Sequence, residues 1–198
     1  FGTSRWSSKL IHGGLRYLEF YEFGLVRKAL KEREGLLDIA PHISWPQSFV
    51  LPSAPERPDW KLRAGLFLYD HLARRRVVPG SNRIDLRQDR AGRALESHYT
   101  HAFRYWDGWV DDARLVIANI ADAAARGANV RSRTRVDSTQ WDGAAWTVAL
   151  SDGTSLRAKT IVNTAGPWAE EVARSVMGRN DAPSLRLVQG SHIVTRRV

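Results

Sequence analysis

The alternation of apolar and polar positions along the first half of the chain predicts two helices and two strands. Apolar residues recur at helical spacing from about Leu18 to Leu36 and again from Trp60 to Arg75. Ile43 to Leu51 and the aromatic-rich stretch Tyr99 to Val110 have the composition of strands, and Pro46 is compatible with an edge strand or a bulge. These four elements predict a chain that mixes helices with a sheet.

Cap and turn residues organise the second half of the chain. Asp111 or Asp112 precedes an apolar helical run that continues to Arg126, and Gly127 is placed to end it. An aspartate here satisfies free amides of the first turn, so we interpret the pair as caps rather than as the acid and base of a catalytic site. Three short strands with Asp-Gly turns then predict an antiparallel meander: Val130 to Thr139, Trp146 to Leu150 and Thr154 to Arg157.

The last predicted elements lie at a small-residue turn and at the end of the chain. Thr160 to Gly166 is apolar and ends in small residues, which predicts a buried strand whose end allows close approach of a ligand. Pro167 then begins a helix. Leu185 to Val198 has the pattern of a strand, whereas Gly2 to Gly14 and Pro79 to Ser97 are predicted as a loop and a polar stretch. We therefore expect an α/β to α+β fold.

Composition supports a folded protein. The chain has 198 residues, of which 43% are hydrophobic and 10% aromatic, and this is too apolar for a disordered chain. It has no cysteine, which excludes disulfides, thiolate zinc sites and a cysteine nucleophile. The histidines show no helical spacing with a carboxylate, so we predict no metal site. No apolar run reaches the roughly 18 to 20 residues of a membrane-spanning helix.

The formal net charge of +9 is compatible with nucleic acid, an anionic membrane surface or an anionic substrate. The basic residues are dispersed and no nucleic-acid-binding motif accompanies them, so we predict no nucleic-acid partner.

The segment from Thr3 to Tyr17 is rich in hydrogen-bond donors. Its hydroxyls, the amides beside Gly13 and Gly14, and the charges of Lys9 and Arg16 could hold a phosphate or pyrophosphate. A glycine turn followed by a capped helix has the same composition. The residue types alone leave both interpretations open.

Three segments resemble the respiratory, flavin-linked glycerol-3-phosphate dehydrogenases. The first is Ser-Ser-Lys-Leu-Ile-His-Gly-Gly-Leu-Arg-Tyr-Leu-Glu, at residues 7–19, and the second is Tyr105 to Leu115. The third is Val162 to Trp168, with Gly190 to Val194 after it. The resemblance implies part of a glutathione-reductase-like FAD domain, including the three-stranded meander, and part of an antiparallel substrate domain. By resemblance, residues 1–40 and 111–180 belong to the FAD domain, residues 41–110 to the substrate domain, and residues 181–198 begin the return to it.

The resemblance also implies site residues. Those expected to bind FAD are Thr3, Ser4, Ser7, Lys9 and Leu10, with His12, Gly13 and Gly14 at the isoalloxazine ring, Val136 near the adenine, and Ala165 and Gly166 near the ribose and pyrophosphate. The residues expected to face glycerol 3-phosphate are Arg16, Tyr17 and His192. A guanidinium offers phosphate paired hydrogen bonds, although a surface arginine needs no ligand. His192 has the chemistry to remove the hydroxyl proton, and a structural histidine is the alternative.

The implied reaction is oxidation of glycerol 3-phosphate to dihydroxyacetone phosphate, with electrons passing through FAD to a quinone. The implied location is cytoplasmic and peripheral on the inner membrane, and the oligomeric state is not indicated. The glycine-rich dinucleotide fingerprint, which this family has before the position of Thr3, is absent, and Arg5 and Trp6 replace smaller residues. We therefore expect an internal fragment that by itself is inactive and binds FAD weakly or not at all. The alternatives are a glycerol-3-phosphate oxidase, with oxygen as acceptor, and a non-catalytic basic module for membrane surfaces or protein partners.

Overall fold

The chain divides into two compact units, with the boundary between Asp122 and Ala123. The computed structural model describes residues 6–55, 58–188 and 190–191. The division into four segments that the resemblance implies stays a prediction, because contacts within the chain do not assign segments to FAD or substrate domains.

The first unit is built around an antiparallel sheet whose central strand is β4 (His101–Val110). β2 (Ser44–Pro52) pairs with β4 along one edge. The other edge is shared by β1 (Leu10–Ile11) and β3 (Asn82–Asp85), which pair with opposite ends of β4. The strands predicted at residues 43–51 and 99–110 are confirmed, whereas β1 and β3 were missed because each is too short to show an alternating pattern.

The helix predicted from Leu18 to Leu36 is two elements. A 3-10 helix, Leu15–Phe20, is followed by α1, Phe23–Ile39. Tyr21 lies between them with φ of 60°, in the left-handed region, and this breaks the helical path. The buried positions of α1 recur at helical spacing, which explains why the periodicity located the helix although it missed the break.

The second predicted helix is confirmed with a shorter C-terminal end. α2 spans Asp59–His71 and stops before the basic run at Arg74 to Arg76. Two small cores stabilise the unit. The first packs side chains of α1 against α2, with Val26, Leu30 and Tyr69 buried, and the second lies around β3 and β4, with Ile84, Leu86 and Ala102 buried.

α3 spans Asp112–Ala125 and contains the boundary between the units. Of the two aspartates predicted as caps, Asp111 is confirmed, since the amide of Arg114 donates to its Oδ1 at 3.1 Å. Asp112 is the first residue of the helix. Gly127 follows the helix with φ of 91°, a conformation that favours glycine at a helix end.

The second unit contains the predicted meander. β5 (Val136–Trp141), β6 (Trp146–Leu150) and β7 (Ser155–Ala158) pair in order and antiparallel. The first strand was predicted to begin at Val130, and this is wrong. Arg133 has φ of 58°, so the backbone before β5 is not continuously extended.

The prediction of a buried strand from Thr160 to Gly166 is wrong. Among the described residues no strand pairs with this segment, and Val162 is 77% exposed. The Asn163 side chain bonds the backbone instead, with Oδ1 accepting from the amide of Ala165 at 3.1 Å and Nδ2 donating to the carbonyl of Ala169 at 2.8 Å. Pro167 does begin a helical segment, as predicted, because residues 166–176 form consecutive short helical turns.

The strand predicted from Leu185 is also not observed in its described part. Residues 185–188 are exposed and pair with no described strand, and the amide of Leu185 donates to the Glu170 carboxylate at 2.7 Å. An apolar pattern predicts a strand only when a neighbouring strand is present to pair with it, and the described residues provide none here.

Candidate functional site

The candidate site is a groove of about 430 Å³ on the first unit, called here the loop groove. It brings together five of the residues that the sequence predicted for the flavin and the substrate, and adds side chains from the sheet. Its lining is Leu10, His12, Gly14, Leu15, Arg16, Tyr17, Phe20, Phe49, Tyr105 and Asp107. The segment between β1 and α1 therefore forms a ligand-sized concavity against β2 and β4.

β1 fixes the start of this segment. Leu10 pairs with Trp109 and Ile11 with Gly108 on β4. A Cβ atom at Gly108 would lie 3.1 Å from the carbonyl oxygen of Ile11, so the glycine permits the close approach of the two strands.

Gly14 turns the chain from β1 into the 3-10 helix that bears Arg16 and Tyr17. Its φ is 74°, and its carbonyl accepts from the amide of Tyr17 at 2.8 Å. Both side chains are exposed at the groove. The glycines predicted as cofactor contacts thus have a defined local role in presenting the two residues predicted for the substrate.

Arg16 is the free cation of the groove. Within residues 6–55, 58–188 and 190–191 its guanidinium has no carboxylate or hydrogen-bond partner, so its donors are available to a ligand. A guanidinium in this state is suited to a phosphate, whose oxygens match its planar donors.

A second concavity adjoins the loop groove. It has a volume of about 1070 Å³, lies between the 3-10 helix and α2, and shares Leu15, Arg16 and Tyr105 with the loop groove. Its other lining residues are mostly apolar, and Glu19 and Lys61 are the charged ones among them. Arg16 therefore lies at the border of the two concavities.

Ser7 and Lys9, both predicted to bind FAD, are held by Asp112 at the start of α3. Lys9 Nζ forms an ion pair with Asp112 Oδ1, and the Ser7 hydroxyl donates to Oδ2 at 2.7 Å. Although desolvation opposes it, the hydrogen bonds from Lys9 and Ser7 hold the pKa of Asp112 at about 2. Both side chains are thus engaged within the chain, and sequence reasoning missed this second role of Asp112.

Gly13 is fixed by a buried polar network that the sequence did not predict. Its amide donates to the Tyr69 hydroxyl at 2.8 Å and to Asp107 Oδ1 at 3.2 Å. The Tyr69 hydroxyl in turn donates to Asp107 Oδ1 at 2.7 Å, and Arg33 Nη1 donates to the same oxygen at 2.8 Å. Burial and the negative charge of Asp107 raise the pKa of Tyr69, so its hydroxyl keeps its proton.

Three of the residues predicted to bind FAD lie in the second unit. Val136 begins β5 and is 36% exposed. Ala165 is half-buried and receives the Asn163 contact, while Gly166 is exposed with φ of 57°. Their predicted contacts with the adenine, ribose and pyrophosphate stay predictions.

Three predicted residues lie outside the described residues, namely Thr3, Ser4 and His192. Across the part of the chain that the structure describes, no group of three or more histidine or acidic side chains could hold a metal ion. No helix in that part is long and apolar enough to cross a membrane.

The loop groove fits the ring end of a flavin better than its pyrophosphate. Apolar and aromatic side chains form its walls, and glycine backbone forms one side, which allows a flat ring to approach closely. A pyrophosphate would need several free hydrogen-bond donors. The Gly13 amide, the Ser7 hydroxyl and the Lys9 ammonium group are all bonded within the chain. The residues present therefore fit one part of the cofactor.

A groove with apolar and aromatic walls and an unpaired guanidinium is suited to an anionic ligand beside a ring-shaped one. The sequence model of the family described as "FAD dependent oxidoreductase" matches residues 1–198, so the chain belongs to this family of FAD-dependent oxidoreductases. FAD is the cofactor of the family.

Two curated relatives and one solved structure define the similarity. The chain is 50% identical to D-erythritol 1-phosphate dehydrogenase of Brucella abortus, over 98% of this chain and 40% of the relative. It is 47% identical to glycerol-3-phosphate dehydrogenase of Pseudomonas tolaasii, over 99% of this chain and 39% of the relative. The glycerol-3-phosphate dehydrogenase of Bacillus halodurans, solved in complex with FAD, matches with a TM-score of 0.57 at 23% identity, over 88% of this chain and 29% of that one.

The similarity confirms the family and the mixed α/β fold with antiparallel sheets. The chain spans about two fifths of the length of the curated relatives it matches.

Proposed function

We propose that the complete protein containing these residues oxidises glycerol 3-phosphate to dihydroxyacetone phosphate. The observation that carries the proposal is the free guanidinium of Arg16 at the loop groove. It lies beside the backbone of Gly14, in the segment expected by resemblance to contact the flavin. The proposal is supported by 47% identity to a glycerol-3-phosphate dehydrogenase over nearly the whole chain. Bound FAD would supply the acceptor for the hydride that leaves the alcohol carbon.

In this proposal the residues of the loop groove bind and orient. Arg16 binds the phosphate group through paired charged hydrogen bonds, and Tyr17 closes the same side of the groove. Leu10, His12 and Gly14 form the side against the flavin ring. His192 removes the hydroxyl proton, a role that rests on the resemblance alone.

The finer features of the proposal come from the resemblance. They are a glutathione-reductase-like FAD domain, a quinone as electron acceptor, and a cytoplasmic position on the inner membrane. Comparing the turnover of the complete protein with a quinone analogue and with oxygen tests the acceptor. Faster turnover with oxygen would contradict the assignment as a dehydrogenase and would identify a glycerol-3-phosphate oxidase.

D-Erythritol 1-phosphate is a second candidate substrate. The relative named for it is 50% identical to this chain, slightly more than the 47% of the glycerol-3-phosphate dehydrogenase. Both substrates carry one phosphate on a short polyol, so Arg16 serves either. We would measure kcat/KM for the two compounds with one preparation and one acceptor. A higher value for erythritol 1-phosphate would identify the four-carbon substrate and overturn the first choice.

Peripheral binding to an anionic membrane is supported by α2. Trp60 is 68% exposed and Phe67 64% exposed, and Lys61 and Arg63 lie on the same helix. Exposed aromatic side chains beside cations suit the interface of a bilayer that contains acidic lipids. Sedimentation with acidic vesicles should retain the complete protein at low salt and release it as salt rises. Binding to neutral vesicles alone would contradict this part of the proposal.

A further inference from the structure

Beneath the loop groove lies a buried polar network that bonds the amide of Gly13. Its side chains are not among the residues proposed above to bind flavin or substrate, although Asp107 also lines the groove. The network consists of Arg33 on α1, Tyr69 on α2 and Asp107 on β4. Their exposed fractions are 2%, 2% and 4%. Three elements of the first unit thus contribute one side chain each to a single point beneath the groove.

The Gly13 amide points into this network and not into the groove. It donates to Tyr69 at 2.8 Å and to Asp107 at 3.2 Å. A Cβ atom at Gly13 would lie 2.6 Å from the Tyr69 hydroxyl and 2.3 Å from Cδ2 of Leu30. The segment from His12 to Gly14 is therefore held at a fixed distance from the core, because Gly13 packs directly against Leu30 and Tyr69.

Asp107 is the centre of the network. Its Oδ1 atom accepts from Gly13, Tyr69 and Arg33, and its side chain also forms part of the groove floor. Arg33 is fixed independently, because Nη1 also donates to the carbonyl of Trp106 at 3.2 Å and Nη2 donates to Glu34 at 3.3 Å. Trp106 lies in the stretch of β4 between the residues that pair with β1 and with β3, and β2 pairs there on the other edge, with Ser48 opposite Trp106.

A network of this kind is a poor means of stabilising the core alone. Burying an arginine and two carboxylates costs desolvation energy, and well-packed apolar residues would stabilise a core at least as well. Arg33 Nε is buried with no hydrogen-bond partner within the described residues, which adds to that cost. What the polar side chains provide and apolar ones cannot is a directional contact with the Gly13 amide.

We infer that Tyr69 and Asp107, supported by Arg33, are positioning residues that set the height and orientation of the His12 to Gly14 segment, and through it of Arg16 and Tyr17, against flavin and substrate. The inference rests on the proposed function for the identity of the ligands. The geometric part, a fixed Gly13 amide, rests on the structure alone. Small errors in the position of such a segment are expected to lower catalysis strongly, since displacements of about 1 Å can cost roughly 100-fold in rate.

The test is Tyr69→Phe in the complete protein, with Tyr99→Phe as matched control. Tyr99 loses the same hydroxyl at a site just before β4, where its ring packs against the second core and lies tilted against His98. We expect Tyr69→Phe to lower kcat/KM for glycerol 3-phosphate by roughly 10- to 100-fold and to shift the visible spectrum of bound flavin, with Tyr99→Phe like wild type.

Val26→Ala separates positioning from stability. Val26 is fully buried in the same apolar cluster as Tyr69, and its loss removes packing without touching a hydrogen bond of the network. We expect it to lower the unfolding temperature while kcat/KM and the flavin spectrum stay near wild type below that temperature. If Tyr69→Phe alters kcat/KM and the flavin spectrum no more than Val26→Ala does, the positioning role is overturned.

Hydrogen exchange on the wild-type protein tests the inference even if Tyr69→Phe does not fold. The amide of Gly13 should exchange as slowly as the amides of α1, because it opens only when the network opens. Rapid exchange at Gly13 would overturn the inference. Should the wild type bind flavin but not oxidise glycerol 3-phosphate, the substrate assignment alone fails, and the flavin spectra and Gly13 exchange still decide the positioning role.

Discussion

At the scale of single residues, the pairing of Lys9 with Asp112 predicts how acid affects stability. The folded-state pKa of Asp112 lies at about 2, below its ordinary value of 3.8, so the ionised form stabilises the fold above about pH 4 and this contribution is lost as the pH falls towards 2. Asp112→Asn should lower the unfolding temperature at pH 6, and the difference from wild type should shrink between pH 4 and pH 2.

Thermal unfolding of the complete protein across that range provides the measurement. Asp38→Asn is the control, because Asp38 and Arg76 form an exposed pair whose side chains are each 55% accessible. If the difference in unfolding temperature between Asp112→Asn and wild type stays constant from pH 6 to pH 2, the Asp112 carboxylate is not held by these bonds.

The free guanidinium at the groove gives a second residue-scale prediction. Arg16→Gln should raise KM for glycerol 3-phosphate and lower kcat/KM by roughly 10- to 100-fold, since a charged hydrogen bond contributes about 1.5 to 3 kcal/mol. Arg16→Lys should recover only part of this, because an ammonium group lacks the paired donors. Arg27→Gln, on the exposed face of α1, is the control and should behave as wild type. Unchanged kinetics for Arg16→Gln would remove the phosphate contact.

Sequence could predict the part of the site that is contiguous and missed the part that is not. Leu10, His12 and Arg16 meet in the loop groove because a short segment cannot separate them far. Tyr69 and Asp107 reach the same place from positions 56 and 94 residues away from Gly13. The one available signal was an aspartate inside the aromatic strand at residues 101–110, where a buried carboxylate requires donors.

At the scale of elements, two glycines of the first unit should respond oppositely to alanine. Gly13→Ala places a methyl group 2.3 Å from Leu30 and 2.6 Å from the Tyr69 hydroxyl, so we expect a loss of about 1 to 3 kcal/mol in the free energy of unfolding. Gly24 lies on α1, and a Cβ atom added there would meet nothing within 4 Å. Gly24→Ala should therefore raise the free energy of unfolding by roughly 0.5 to 1 kcal/mol.

Denaturant unfolding of the two variants compares them directly. The comparison uses one chemical change in two environments, so a similar effect of both substitutions would contradict the close packing at Gly13.

Local patterns predicted the elements that depend on local chemistry. Periodicity located α1 and α2, the aspartate cap located α3, and the Asp-Gly turns located the meander. The segment at residues 160–166 failed for a different reason: a strand forms only against a partner, and no pattern within seven residues contains the partner.

At the scale of the whole molecule, cofactor affinity is expected to depend on more than the described groove. The loop groove, with about 430 Å³, fits a flavin ring, whereas the Gly13 amide, Ser7 and Lys9 are bonded within the chain and leave few donors for a pyrophosphate. The chain also has no glycine-rich dinucleotide fingerprint, whose amides bind that group in related folds. We therefore expect the 198-residue chain by itself to bind FAD weakly and to oxidise no glycerol 3-phosphate.

Titration of the purified 198-residue chain with FAD, followed by flavin fluorescence, measures this affinity. Circular dichroism on the same sample establishes that the chain is folded, so that weak binding reports missing contacts and not an unfolded protein. Because the residues proposed for the flavin ring lie in the loop groove, riboflavin and FAD should bind with similar weak affinity, whereas a site with working pyrophosphate contacts would favour FAD by a large factor. Stoichiometric FAD on the purified chain, or a strong preference for FAD over riboflavin, would mean that donors within this chain reach the pyrophosphate after all.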